Sequence, residues 1–373
     1  MVQPRKKLRV AVDARELNRP HLRGMGKYLL ELIRHSKVAQ SIEWQLFSDR
    51  PDLPFHQPPE PGVSIRITDV PGYRIHAWEQ GFLPIMAAGA DILHCPFSRA
   101  PWLQLKPTVV TIHDTIPWES NEPSWDHGFY VDTLLPRAFK KARAVITGSH
   151  ASQRDISRRW PEIESKLHVV YHGIGEEFLA VQPGPLSENP ELGGVRAPYL
   201  LYVGGEIPRK RLSWAIDVYS AVADAGISLV VCGLAPASHS EVLQQVPESL
   251  RDGITFMPFV PQAAMPRLYQ NAVALLFPSL AEGFGFPVLE AQAVGTPALF
   301  SPLSSLSELT GPAAVPLPAT DLHAWTQSAR RLVEDRRPGV APRPDSREWA
   351  RQFSWETSAS KTLALYSAVA GRR

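Results

Sequence analysis

Cysteine is scarce in this chain: two in 373 residues, Cys95 and Cys232, far apart and each inside an apolar run. A disulfide framework is excluded on that count, and a reducing compartment is the expectation. No apolar run approaches the ~20 residues of a membrane span. The short run Leu8–Val12 meets Asp13 before it reaches the length of a signal-peptide core. A soluble, cytoplasmic protein is expected, at most peripheral at the inner face of a membrane. A charge excess of either sign is also missing: 39 Lys and Arg against 37 Asp and Glu leave +2, which argues against nucleic acid as a partner. The one local excess, Arg5, Lys6, Lys7 and Arg9, reads as a solvated tail, with contact to an anionic membrane surface as the alternative. Internal repeats and low-complexity tracts are absent. His94, His113 and His172 are scattered and lack metal-ligand spacing, so no metal site is expected.

Short β-rich runs and helical patterns do alternate along the whole chain. In the first half Leu8–Val12, Trp44–Ser48, Val63–Ile67, Asp91–His94, Thr108–Ile112, Ala144–Thr147 and Leu167–Tyr171 read as strands. Helices are expected over Gly24–Val38, Ala77–Ala88, Trp125–Ala142 and from Ser149, whose side chain suits an N-cap. Residues Ala180–Pro198 break this rhythm with seven prolines and glycines, the composition of a linker. A second series follows: strands Tyr199–Val203, Ile227–Cys232, Ile254–Met257 and Val273–Phe277, with helices Leu212–Ala225, Glu241–Leu250, Asp321–Asp335 and Trp349–Ala370, and a Pro/Arg loop over Arg336–Asp345. Alternation at this spacing predicts α/β architecture, with parallel sheets covered by helices on both faces. Two Rossmann-like domains facing across a cleft are expected, residues 1–182 and 183–352, with 353–373 as a C-terminal helix.

The most informative stretch is Ala272–Phe300. It reads as a buried strand, a Gly283-Phe284-Gly285 turn, a helix opened by Pro287 and closed at Gly295, and a second strand. Glu282 sits in the turn and Glu290 one turn into the helix. Bare amides at a helix N-terminus accept an anion, and two carboxylates beside them suit a sugar phosphate with hydroxyls to grip. For Glu282 and Glu290 the plainer reading is a pair of acids favoured near a helix N-terminus. Gly204-Gly205 leads to Arg209 and Lys210, two cations suited to a diphosphate, or simply surface residues at a helix start. His113-Asp114 ends a strand. His113 there suits an acid or a hydrogen-bond partner of a sugar hydroxyl, with a structural histidine bonded to backbone as the alternative. Gly24-Met25-Gly26 stands too far from the preceding strand for a dinucleotide fingerprint. It reads as a mobile loop whose amides approach phosphate or acceptor, or as a turn and cap.

Glu282-Gly-Phe-Gly-Phe-Pro-Val-Leu-Glu290 resembles the E-x7-E signature of the retaining glycosyltransferases of family 4, which have the two-Rossmann GT-B fold. The likeness extends along the chain. Asp13-Ala-Arg15 with Gly24-Met-Gly-Lys-Tyr28 resembles the family's N-terminal glycine loop, and His113-Asp114 its histidine motif. Thr147-Gly-Ser149 with Ser152-x-x-Asp155 resembles the last helix start of its first domain. Pro208-Arg-Lys210 resembles its phosphate-contacting motif, and Ser304-Ser-Leu-Ser-Glu308 its loop after the donor site. Phe353-Ser-Trp-Glu356 resembles its C-terminal helix, which returns to the N-terminal domain. Three positions depart from the family pattern: Gly205 where many relatives carry Arg, His172 where Asn is usual, and Ser307 where Pro is usual.

The resemblance implies a first domain for the acceptor and a second for the donor. It implies that Glu290 binds the ribose, that Glu282 and the amides of Gly283 to Gly285 hold sugar hydroxyls, that Arg209 and Lys210 stabilise the diphosphate, and that His113 contacts the donor sugar. With Gly205 in place of Arg, more of the diphosphate charge rests on Arg209 and Lys210. It implies retention of anomeric configuration with neither cofactor nor metal. Its motif pattern resembles the branch of bacterial mannosyltransferases of surface polysaccharide synthesis, which implies GDP-mannose as donor, with a UDP-hexose such as UDP-glucose as the alternative, and a glycan or lipid-linked acceptor. A sugar-nucleotide epimerase of the same architecture and a catalytically inert glycan- or nucleotide-binding protein are the competing classes.

Overall fold

Continuous apolar runs become strands buried on both faces, the pattern that parallel sheets require. In the computed structural model, which describes residues 7–38, 42–56, 62–68, 75–119, 128–335 and 344–371, they form two sheets in two compact units. One unit is Met1–Gly173 with Ser354–Arg373, the other Ile174–Phe353. The division therefore falls ahead of the Pro/Gly-rich stretch at 180–198.

In the first unit β1 (Leu8–Asp13), β2 (Ile42–Ser48), β3 (Val63–Ile67), β4 (Ile92–Cys95), β5 (Thr108–Thr111), β6 (Ala144–Thr147) and β7 (Leu167–Val169) lie in the order β3-β2-β1-β4-β5-β6-β7, every pair parallel. The central strands β4, β5 and β6 are buried at every residue, whereas the edge strand β3 alternates half-buried and exposed residues. Ala11, Leu93, Val110 and Val145 from the sheet pack with Trp78, Leu83, Leu135 and Phe139 from the helices into one core.

In the second unit β8 (Tyr199–Val203), β9 (Ser228–Cys232), β10 (Ile254–Met257), β11 (Ala274–Phe277), β12 (Ala298–Phe300) and β13 (Ala314–Pro316) lie in the order β10-β9-β8-β11-β12-β13, again all parallel. Leu200, Leu229 and Leu276 pack against Ile216, Val218 and Trp325 of the flanking helices. Both cysteines are free and buried.

Several boundaries differ from the sequence reading, mostly at prolines. Pro247 ends the helix expected over Glu241–Leu250, leaving His239–Gln244 and a 3-10 turn Glu248–Gly253. The helix expected over Trp125–Ala142 is described only from residue 128. It opens as π-helical turns, Phe129–Leu134, and continues as Leu135–Lys141. Pro136 has no N–H for the carbonyl four residues back, which accounts for the widened turns ahead of it. The same device recurs at Trp78–Phe82 before Leu83–Met86, where Pro84 is the breaker. The helix expected over Trp349–Ala370 is two, Pro344–Ala350 and Trp355–Val369, the second capped by the Ser354 hydroxyl accepting from the Thr357 amide. β13 has no signal in the sequence, because three residues ending in Pro316 read as loop; the strand lies at a sheet edge, where a missing N–H is tolerated. Most of the Pro/Arg loop at 336–345 and the tail residues Arg5 and Lys6 lie outside the described residues.

Candidate functional site

β8 and β11 are neighbours, but the chain leaves β8 toward β9 and β11 toward β12. This switch point is where a doubly wound sheet receives ligands beyond its strands' carboxyl ends. The turns that follow these two strands carry Arg209, Lys210 and Glu282.

The turn after β8 is tightly determined. Gly205 has φ +74°, and a Cβ there would come within 2.9 Å of the Gly233 carbonyl oxygen, so any side chain on this backbone would be strained. The Tyr202 hydroxyl donates to the Gly205 carbonyl at 2.9 Å, with the Lys210 carbonyl at 3.3 Å, pinning both ends of the turn. Burial, and then the charge of Glu282, push the Tyr202 phenol well up, so it stays a donor. Pro208–Lys210 is a single 3-10 turn, and the Leu280 amide donates to the Arg209 carbonyl at 2.9 Å, stitching this turn to the one after β11.

The side chains then converge. Arg209 Nη1 donates to the Ala281 carbonyl at 2.5 Å and lies 3.0 Å from Glu282 Oε1, while Lys210 Nζ lies 3.9 Å from the same oxygen. Ser279 Oγ donates to that oxygen at 2.8 Å. The Glu282 amide donates to Ser304 Oγ at 2.9 Å, and Ser305 Oγ donates to the Glu282 carbonyl at 2.6 Å, so the turn after β12 braces the turn after β11. All three charged side chains are mostly buried yet retain some exposure, at 23% for Arg209, 18% for Lys210 and 13% for Glu282. Two cations on one carboxylate leave one positive charge in excess, a place for an anion that is partly shielded from water.

Gly283, Phe284 and Gly285 lead from Glu282 into the helix Phe286–Ala293. Gly285 has φ +111°, and a Cβ there would meet Leu306 Cδ2 at 2.4 Å. Glu290 is buried on that helix, and the Tyr269 hydroxyl donates to its Oε2 at 3.0 Å. Glu282 and Glu290 are therefore held differently: the first by two cations and a serine, the second by a phenol from the helix Met265–Gln270. Tyr269 has no signal in the sequence, where it looks like any core aromatic; the Ser304-Ser305 support is visible there only through the family likeness.

The other predicted residues lie in the first unit. Gly24, Met25 and Gly26 are not a mobile loop but the first turn of the helix Gly24–Arg34. Gly26 is small for a packing reason, since a Cβ would lie 2.6 Å from the Glu16 carbonyl oxygen. From the same helix, Tyr28 sets its ring edge-on to His113 with centroids 5.2 Å apart, and lies 4.8 Å from the ring of His172. His172 stacks on Trp355 at 5.9 Å. His113 Nε2 bonds to the Pro96 carbonyl at 2.8 Å, and the His113 amide donates to Ser98 Oγ. Burial pushes this histidine down to about 4, against the pull of the Pro96 carbonyl. At neutral pH the ring is therefore uncharged with its proton on Nε2, and Nδ1 is a hydrogen-bond acceptor.

Asp13-Ala14-Arg15 forms a buried ion cluster. Arg15 Nη2 lies 2.7 Å from Asp13 Oδ2 and 2.9 Å from Glu79 Oε2, and its guanidinium stands 4.6 Å over the Trp78 ring. Burial works against that charge, but the two carboxylates hold Arg15 well above its usual value. Ser149 Oγ caps the helix His150–Arg159 by accepting from the Ser152 amide at 3.1 Å. Among the described residues no group of three His, Cys, Asp or Glu side chains is placed to hold a metal ion, and no helix is long and apolar enough to cross a membrane.

Two family models match the chain: "Glycosyltransferase Family 4" over residues 22–178 and "Glycosyl transferases group 1" over residues 197–335. The chain belongs to glycosyltransferase family 4. Among curated relatives, "O-antigen chain mannosyltransferase B" of Escherichia coli is 25% identical over 370 residues, 92% of this chain and 96% of the relative. "O-antigen chain mannosyltransferase RfbU" of Salmonella typhimurium is 28% identical over 231 residues, 62% of each chain. Among solved structures, Anabaena Alr3699/HepE, crystallised with UDP and glucose, superposes with a TM-score of 0.75 at 17% identity over 97% of this chain and 100% of its own. The two doubly wound units of this glycosyltransferase are thus those of the GT-B fold.

Proposed function

We propose that this glycosyltransferase moves mannose from GDP-mannose to a glycan or lipid-linked acceptor in surface polysaccharide synthesis, with retention at the anomeric carbon and without a divalent metal. The observation that carries the chemistry is the convergence of Arg209 and Lys210 on Glu282 at the switch point of the second sheet. Near full-length similarity to the E. coli O-antigen mannosyltransferase supports the choice of sugar and pathway.

In this reading the diphosphate takes the place of Glu282 as counter-ion to the two cations. Glu282 is thereby released to accept from sugar hydroxyls, with the amides of Gly283 to Gly285 beside it. Glu290, oriented by Tyr269, accepts from the ribose hydroxyls. The bond from the anomeric carbon to the diphosphate oxygen breaks while the acceptor oxygen bonds to that carbon from the same face. The acceptor's proton passes to the leaving phosphate oxygen. Arg209 and Lys210 stabilise the charge that develops there, and fixed turns supply orientation. His113, neutral at working pH, offers Nδ1 to a sugar hydroxyl.

A panel of nucleotide sugars with GDP-mannose and UDP-glucose as its main arms, read by thermal shift and then by product analysis, tests this reading. A donor at 100 times its dissociation constant stabilises by about 2.7 kcal/mol. GDP-mannose is expected to shift the protein most, to give an α-linked product only when acceptor is present, and to do so in chelator. Conversion of the sugar nucleotide alone would make the protein an epimerase. Full transfer by both Glu282→Ala and Lys210→Ala would remove the site.

A further inference from the structure

Among the described residues, three that are not glycine hold a left-handed backbone: Ser98 with φ +54°, Arg211 with φ +51° and Ser304 with φ +45°. A side chain disfavours this conformation, and a residue that keeps it is held there by its surroundings. The three are not scattered. Arg211 directly follows Lys210, with its guanidinium carbon 3.6 Å from the centre of the Trp214 ring and its Nη1 donating to the Ala319 carbonyl at 2.5 Å. Ser98 and Ser304 each bond to the main chain of one of the two residues assigned above to the donor sugar, His113 and Glu282.

The two serines repeat one device. β4 and β5 are neighbours in the first sheet, as β11 and β12 are in the second, so the turns that follow them lie side by side at the strands' carboxyl ends. In the turn after β4 the Ser98 amide donates to the Thr111 carbonyl at 2.8 Å, and Ser98 Oγ accepts from the His113 amide at 3.1 Å. The Pro96 carbonyl of the same turn takes His113 Nε2 at 2.8 Å. In the turn after β12, Ser304 Oγ accepts from the Glu282 amide at 2.9 Å and donates to the Glu282 carbonyl at 3.1 Å. Ser305 Oγ reinforces it, donating to the carbonyls of Glu282 at 2.6 Å and Phe284 at 2.9 Å. Glycine takes a left-handed φ without strain. A serine at such a position therefore points to a use for its hydroxyl.

We propose that Ser98 and Ser304 are positioning residues, whose hydroxyls fix the main chain from which His113 and Glu282 meet the donor sugar. This rests on the reading of His113 and Glu282 as sugar contacts; neither serine touches the sugar itself. Glu282 depends on such an anchor once donor binds. The diphosphate then takes over Arg209 and Lys210, and the bonds left to Glu282 are those of Ser279 to its carboxylate and of Ser304 and Ser305 to its peptide. Gly283 follows directly, so the turn has little stiffness of its own. His113 is held at two points, its amide by Ser98 and its Nε2 by Pro96, which together fix the direction of Nδ1. Groups that act on a substrate work only when held to within about 0.5 Å of the productive geometry.

Ser98→Gly and Ser304→Gly in the full chain separate the hydroxyl from the backbone, because glycine keeps the left-handed turn and loses only the Oγ. Each is expected to melt as the parent does and to bind GDP with the parent's affinity. Each is expected to bind GDP-mannose about five- to tenfold more weakly, the scale of one lost hydrogen bond, with kcat lowered as well. UDP and UDP-glucose form the pair to compare if the parent turns over that donor. Ser98→Ala and Ser304→Ala lose the hydroxyl but keep the strain, so they should match the glycine variants in affinity and melt at lower temperature. Glycine variants with the parent's affinity and turnover overturn the inference, since the backbone would then suffice without the hydroxyl. Equal weakening toward GDP and GDP-mannose overturns it too, by showing general damage to the site. Full transfer by Glu282→Ala would sink the donor-site reading itself, whereas an inactive Glu282→Ala beside a fully active Ser304→Gly sinks this inference alone.

Discussion

Acidification should unlock the first unit through His94. This side chain lies on β4 with no exposure; its Nε2 is 2.9 Å from Thr111 Oγ1 on β5, and its Nδ1 is 2.6 Å from the Tyr366 hydroxyl on the C-terminal helix Trp355–Val369. Tyr28 OH extends the chain of bonds to Thr111 Oγ1 at 3.2 Å. Burial, and then the nearby His113 ring, push His94 down from 6.5 to about 3. The folded protein therefore resists a proton that the unfolded chain takes up near pH 6.5. The stability due to the neutral ring is complete above pH 6.5 and is lost as pH falls toward 3. At about 1.4 kcal/mol per pH unit, moving from pH 7.5 to 4.5 removes roughly 2–3 kcal/mol through this group.

His113 and His172 are both pushed down as well, so the parent protein's pH curve alone does not isolate His94. Comparison with His94→Leu does. At pH 7.5 that substitution strands the buried Tyr366 hydroxyl and removes one partner of Thr111, a cost of about 2–4 kcal/mol. At pH 4.5 the parent has already lost most of that advantage, so the difference should shrink by roughly 2–3 kcal/mol. Urea denaturation of both proteins at the two pH values measures it. An equal penalty at both would refute the buried neutral histidine as the source.

Two further substitutions probe the second unit. Gly285→Ala places a methyl group 2.4 Å from Leu306 Cδ2 on a backbone at φ +111°, so it should cost about 1–3 kcal/mol and raise the KM for donor; a melting point and KM equal to the parent's would show that the turn yields freely. Tyr269→Phe removes the hydroxyl that donates to Glu290 Oε2, and should destabilise by about 1–3 kcal/mol and weaken donor binding several-fold, with little change in kcat. Calorimetric titration of the nucleotide checks it, and unaltered affinity would mean that Glu290 is oriented without Tyr269.

Much of the site was legible because its residues cluster in short runs. Glu282 to Glu290 is one turn and one helix, and Arg209 and Lys210 are adjacent, so local chemistry marks them before any fold is known. What the sequence concealed is the pairing between runs. Nothing local says that Arg209 approaches a Glu282 oxygen, that Tyr269 serves Glu290, or that a side chain at Gly205 would crowd the Gly233 carbonyl. For Gly24-Met25-Gly26 local chemistry left a mobile loop and a turn and cap both open; the structure has the run opening the expected helix, with Gly26 clear of the Glu16 carbonyl.

The sequence by itself determined the α/β alternation, two doubly wound sheets and the acids and bases of the donor motifs, since apolar runs bounded by turn residues specify buried strands whatever surrounds them. The tertiary structure alone decided which groups face each other. Strand order sets the switch point between β8 and β11 that brings Arg209 and Lys210 to Glu282. Burial decided protonation, keeping His94 and His113 neutral. It also decided exposure, leaving Ile85, Trp102 and Phe129 at the surface although their types favour a core. These are properties of neighbours distant in the chain, and so they exist only once the chain is folded.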